Sequence, residues 1–346
     1  MESPAGETAS APVEQGRSST LKKVQRFVSV LMTCALTWAF VHTLGHIVRP
    51  THTDQAYTQV ETLHSLPRNS VEVMIYGSSH AYRGFNTMEM YDRYGIGAYN
   101  YGMLWQRINT THLFLKDSLE VQTPKVVLIE SFNCNELLED TNISAEIYYS
   151  RFIHEEEAKA KYLRQCFGED KERYLSFYMP LCAFHENWST LDKDSFKELT
   201  VGKALRRKMG ASMYKHVEKI TMADYQDLEQ LPLSANAEKE LLEMVKLCKE
   251  KNIEVLFYTV PSAKIFNYSE AMKKFAKENG CAYVDLYELV DETGLDGQTD
   301  FSDISHLNQS GATKVADYMG RYLVEHYELT DFRTIPDNLW EQAKDL

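Results

Sequence analysis

Paired cysteines are missing from this 346-residue chain: Cys34, Cys134, Cys166, Cys182, Cys248 and Cys281 all stand singly. Without a CxxC or CxxxC pair, the sequence announces neither a zinc knuckle nor a disulfide framework. The 11 histidines are scattered as well, and neither HExxH nor an acidic EF-hand pattern occurs, so no metal site is expected. A glycine-rich loop able to cradle phosphates is absent too, which argues against a nucleotide; no cofactor is expected. Positive charge is in deficit, with 37 Lys+Arg against 50 Asp+Glu and a formal net charge of −13. A surface of that sign repels phosphate backbones, which sets nucleic acid aside as a partner.

The composition that remains is that of a folded chain, 44% hydrophobic and 12% aromatic. Charge is absent from Phe27–Leu44, FVSVLMTCALTWAFVHTL, a run about long enough to cross a bilayer core as a helix. Lys22, Lys23 and Arg26 precede it and Arg49 follows, an asymmetry that puts the N-terminus inside and the body outside. A cleaved signal peptide would need a small-residue cleavage site after the run, and a lipoprotein signal ending at Cys34 would leave the run continuing past its end. An uncleaved, single-pass membrane anchor over about 21–48 is therefore expected, with an extracytoplasmic body. Residues 1–20, rich in Ser, Gly, Pro and Ala, are expected to be a disordered cytoplasmic tail. His42 and His46, four apart, read as polar residues at the interface.

After an expected linker over 49–70, the chain alternates between apolar runs and amphipathic stretches. Val71–Tyr76 reads as a buried strand ending at Gly77, and Asn86 followed by Thr87-Met88-Glu89 starts a helix that Gly95 closes. Further strands are expected at Ala98–Tyr101, Lys125–Ser131, Ile253–Val260 and Ala282–Leu286. Helices are expected at Thr111–Glu120, Ala237–Lys251, Ser269–Asn279 and Gly311–Tyr327. Five apolar strands with helical crossovers imply an α/β fold of three layers, α/β/α, around a five-stranded parallel sheet. The catalytic domain is expected over 71–330, interrupted by a helical insertion over 138–235 that shapes the cleft. Residues 331–346 read as a C-terminal tail.

Two segments carry candidate chemistry. Tyr76-Gly77-Ser78-Ser79-His80 ends the first strand, where glycine permits a sharp turn and a serine can point out of the sheet edge. Asp300-Phe301-Ser302-Asp303-Ile304-Ser305-His306 stands directly before the last helix. At Asp-x-x-His spacing in a turn, the carboxylate can hold one imidazole nitrogen while the other takes a serine proton. Asp300 is a rival whose spacing fits less well.

Together these segments resemble the SGNH, or GDSL-like, hydrolase superfamily over about residues 70–330. The likeness is strongest to the membrane-anchored branch that contains the teichoic acid D-alanyl transfer protein and the alginate O-acetylation proteins. The resemblance implies Ser79 as nucleophile, with Ser78 in place of the usual aspartate, and Asp303 and His306 as its relay. It implies an oxyanion hole from Gly102 and, where the family has Gly-x-Asn-Asp, from Asn133, with Asn135 as second choice.

His80 beside the nucleophile reads as a pocket wall. His185 and Trp188 in the insertion have the composition of a sugar subsite. Lys203, Arg206, Arg207 and Lys208 form a basic cluster that reads as a solvated helix face.

The function implied is an extracytoplasmic serine-dependent O-acyltransferase acting on a cell-envelope polysaccharide or teichoic-acid-like polymer, with a membrane-bound O-acyltransferase as partner. A carbohydrate esterase with the same triad and a non-catalytic polysaccharide-binding scaffold are the alternatives.

Overall fold

A computed structural model describes residues 13–49, 54–132, 134, 143–191, 208–222, 227–262 and 266–345. The central sheet holds β1 (Val73–Tyr76), β2 (Ala98–Asn100), β3 (Val126–Glu130), β4 (Glu254–Thr259) and β5 (Ala282–Asp285). Their order is β2-β1-β3-β4-β5 and every pairing is parallel, with Val73 opposite both Ala98 and Val126, and Leu256 opposite Ala282. The strands read as nearly unbroken apolar runs because both faces of the sheet are covered: Val73, Ile75, Val126, Leu128, Leu256 and Tyr258 are fully buried. Strand order reverses between β1 and β3, the place where open parallel sheets leave a crevice outside the strands' carboxyl ends.

The helices are α1 (Val13–Ile47), α2 (Gln55–Ser65), α3 (Ser79–Gly84), α4 (Thr87–Tyr94), α5 (Ile108–Ser118), α6 (Ile143–Ser150), α7 (Glu156–Phe167), α8 (Lys171–Tyr178), α9 (Pro180–Phe184), α10 (Ala235–Glu250), α11 (Ser269–Glu278), α12 (Val290–Thr293), α13 (Gln309–His326) and α14 (Leu339–Lys344). Helix α4 starts and stops where its local signals say. The Asn86 side chain accepts the Glu89 N–H, and Gly95 closes the helix in the left-handed region.

Several segments differ from their expected form. The linker over 49–70 contains α2, which buries Val60 and Leu63 and also Gln59, whose amide donates to the carbonyls of Asn100 (2.6 Å) and Gly102 (2.9 Å). The tail over 331–346 ends in α14, where Trp340 is 1% exposed and its indole N–H donates to the Ala98 carbonyl at 3.2 Å. The insertion is helical through α6–α9, but residues 208–222 form no helix. Instead the Met209 carbonyl accepts the Asn100 N–H of β2 at 2.9 Å, and the Ser212 N–H donates to the Tyr82 carbonyl at 2.8 Å.

The chain divides into two compact units, one of residues 1–49 with 175–197 and one of residues 50–174 with 198–346. In the first, Leu21–Gly45 of α1 is long and apolar enough to cross a membrane, and an 18-residue apolar stretch within it has no buried residue. Helix α1 begins at Val13, within the segment expected as a tail.

Candidate active site

The second unit gathers the two motif segments at the carboxyl edge of the sheet. After β1 the chain turns at Gly77, whose φ of 148° lies in the region that favours glycine. A Cβ there would fall 2.4 Å from Glu130 Cβ and 2.5 Å from its Oε2. The Glu130 carboxylate, at the end of β3, accepts the Ser78 N–H at 2.6 Å. Ser78 caps α3, so Ser79 becomes its first residue.

His306 arrives from the far end of the chain on a short loop. Phe301 and Leu307 form an antiparallel bridge, and the Ser302 N–H donates to the His306 carbonyl at 2.8 Å. Within that loop the Asp303 Oδ1 accepts the N–H groups of Ser305 (2.8 Å) and His306 (3.0 Å). The same carboxylate stands 2.7 and 2.8 Å from His306 Nδ1, and His306 Nε2 stands 2.6 Å from Ser79 Oγ. Ser79 is 8% exposed, whereas the Asp303 side chain is 43% exposed. Burial raises the Asp303 pKa, but the Ser305 N–H, His306 and Arg83 outweigh it and hold the carboxyl below its usual range.

Asp300, the rival carboxylate, faces elsewhere. It is fully buried, with Lys314 Nζ at 2.6 Å and the Ser310 hydroxyl donating to it at 2.7 Å. Asn308, the next cap, accepts the N–H groups of Ser310 and Gly311 and starts α13. Asp300 and Asn308 therefore build the frame from which the Asp303–His306 loop projects.

His80 is buried, with Nδ1 3.1 Å from Ser78 Oγ and 3.7 Å from Glu130 Oε1, and its ring lies 3.9 Å from that of Phe132. Gly102 sits close to the turn, and a Cβ there would lie 2.9 Å from Ala81 Cβ and 3.0 Å from the Gly77 carbonyl. Its N–H donates to Asn100 Oδ1 at 3.1 Å, a partner that spacing alone does not reveal. Asn133 and Asn135 lie outside the described residues, as do Lys203, Arg206 and Arg207. His185 and Trp188 belong to the unit that contains α1, not to the one that contains Ser79.

Three residues at the site were not singled out from the sequence. Arg83, one helical turn after Ser79 on α3, has Nη1 3.2 Å from Asp303 Oδ2. Tyr214, from the 208–222 segment, lies under the Arg83 guanidinium, 4.1 Å from ring centroid to carbon. Glu130 is the third; its one signal is a charge ending an apolar run. Burial raises the pKa of Tyr82 beside this group, and Arg83 opposes it only in part.

No family model and no curated protein matches this chain. Among solved structures, it is similar to a "putative acylhydrolase" from Bacteroides fragilis NCTC 9343, with 11% identity, a TM-score of 0.39, and coverage of 77% of this chain and 94% of that one. A likeness at that level assigns neither residue roles nor a substrate.

Proposed function

We propose that the chain is a serine-dependent O-acyltransferase of the cell envelope, anchored by α1, with Ser79 as nucleophile, His306 as general base and acid, and Asp303 as its orienting carboxylate. The observation that carries this reading is the continuous set of contacts from Asp303 through His306 to the Ser79 hydroxyl, at 2.7 and 2.6 Å. With Asp303 accepting from Nδ1, the neutral imidazole presents Nε2 as acceptor to the Ser79 hydroxyl.

Oγ attacks an ester carbonyl as its proton passes to Nε2. The tetrahedral intermediate then collapses, and the leaving alcohol takes that proton. An acyl ester on Ser79 remains. In the second half, a sugar or polyol hydroxyl gives its proton to Nε2 and attacks the acyl carbonyl, and the new tetrahedral intermediate collapses with Ser79 Oγ leaving and taking that proton back. The Ser79 N–H, at the first position of α3, is one oxyanion donor in this scheme; Gly102 serves once its N–H leaves Asn100, and Asn133 is the third.

The acceptor class rests on the resemblance to the membrane-anchored branch, and α1 with its flanking charges supports an outward-facing body. An anchored, outward-facing enzyme meets envelope polysaccharide or a teichoic-acid-like polymer, and a membrane-bound O-acyltransferase is the partner that would supply the acyl group. With water as acceptor the same steps describe an esterase.

The test is labelling of the full chain in detergent by a fluorophosphonate probe. Wild type labels, and Ser79→Ala and His306→Ala do not, each compared at equal folding by circular dichroism. Labelling that survives Ser79→Ala removes the proposed nucleophile and brings the polysaccharide-binding scaffold forward.

A further inference from the structure

The unit formed by residues 1–49 and 175–197 carries a feature that acyl transfer does not use. From Leu175 to His185 the sequence reads LSFYMPLCAFH, eleven residues with no Asp, Glu, Lys or Arg in a chain that is 25% charged. Apolar and aromatic groups of this stretch and the following turn face outward: Leu175 is 61%, Tyr178 48% and Trp188 45% exposed. Leu175 and Tyr178, three apart on α8, share one face of that helix, and apolar side chains held outward in this way mark a surface that meets something apolar.

Its neighbour names the occupant. Helix α9 packs on the outer end of α1, where a Cβ on Gly45 would stand 3.2 Å from Pro180 Cβ and 3.4 Å from the Leu181 nitrogen. Only glycine admits that approach without displacing Pro180. The Asn187 amide then donates to the Val48 carbonyl at 2.9 Å, so the start of α9 and the turn after it both meet the C-terminal end of α1. The outer end of α1 is also where its exposed apolar window stops, at Gly45. Tyrosine and tryptophan concentrate at that depth, ring toward the acyl chains and polar edge toward the headgroups.

We infer that residues 175–190 lie in the headgroup region of the bilayer on its outer side, as an interfacial collar around the end of α1, with Leu175, Tyr178 and Trp188 inserted among the lipids. The inference rests on α1 being a membrane span. It does not depend on the chemistry at Ser79.

The experiment places the full chain in phosphatidylcholine nanodiscs. An environment-sensitive fluorophore is attached at the exposed Cys182 in a Cys34→Ser background, with Cys182→Ser supplying the signal to subtract. A second preparation carries the fluorophore at Trp188→Cys in a Cys34→Ser, Cys182→Ser background, and a third at Trp38→Cys, within α1, in that same background. The expected result is emission shifted to the blue at 182 and 188, quenching by nitroxide lipid labelled near the headgroup, and protection from aqueous iodide. Iodide quenching without lipid quenching at both 182 and 188, while position 38 is quenched by lipid, overturns the collar and leaves the span standing. If position 38 also escapes lipid quenching and carbonate extracts the chain from membranes, the span itself fails and the collar with it.

Discussion

His306 Nε2 lies 2.6 Å from the hydroxyl of Ser79, a residue 227 positions earlier in the chain. Neither side chain is placed by its neighbours in sequence alone. Ser79 is set by the turn at Gly77 and the cap of α3, and His306 by a loop pinned between Asp300 and α13. The arrangement therefore depends on groups outside the Ser79–His306 pair.

Asp303 holds the imidazole through Nδ1, so Asp303→Asn should impair labelling far more than its exposure suggests. The amide can donate to Nδ1 and select the wrong tautomer, a change that lowers turnover by about 10⁴ in enzymes using this relay. The rate of fluorophosphonate labelling checks it, with circular dichroism showing an intact fold.

Arg83 is one of the groups that keep the Asp303 pKa low against burial, after the Ser305 N–H and His306. The depressed pKa means that the carboxylate's contribution is complete above the ordinary aspartate range and is lost as pH falls through the folded value. Arg83→Gln should therefore move the acid limb of the labelling profile to higher pH. With Asp303 43% exposed, solvent screens the pair, and the loss should stay within about 1 kcal/mol.

Gly77→Ala should cost both stability and labelling. Its φ of 148° is one that alanine adopts only under strain, of about 1–3 kcal/mol. The added methyl group would also collide with Glu130, which holds the Ser78 N–H. Denaturant unfolding measures the first effect, and probe labelling of the folded fraction measures the second.

Asp117, at the end of α5, is fully buried and joins four elements. Its Oδ2 is 2.8 Å from His64 Nε2 and accepts the Tyr101 hydroxyl at 2.6 Å, while Oδ1 accepts the N–H groups of His154 and Glu155 just ahead of α7. Burial raises its pKa, but His64, Tyr101 and the Glu155 N–H bring it below the usual value. Its contribution is thus lost only as pH falls through that lowered value. His154 has the opposite sign: its bond to Glu61 raises its pKa against burial, so its smaller, half-exposed contribution is lost as pH rises through the folded value. Asp117→Ala should destabilise by about 3–5 kcal/mol, because it leaves buried donors unpaired. Hydrogen exchange should show α7 loosening first.

Trp340→Ala should cost about 3–5 kcal/mol, the range for an aromatic lost from a core. The indole is 1% exposed and lies over β2 through its bond to Ala98. Thermal unfolding of the variant, and of a chain ending at residue 331, should show a similar loss.

The strands β1, β3 and β4 were legible as apolar runs, and α4 through Asn86 and Gly95, because burial on both faces and capping leave their marks within a few residues. The contact of Asp303 with His306 was legible for the same reason, the two being three apart on one loop. What α2 and Trp340 do was not legible. Gln59 and Trp340 are buried for the sake of carbonyls on β2 and the chain after it, which a local pattern of polar and apolar residues does not record.

Arg83 beside Asp303 and Glu130 behind Gly77 are likewise contacts between elements. Local order is written in short-range periodicity and caps, while the partner of each polar group is chosen by which strands end side by side, and that is set only when the sheet closes.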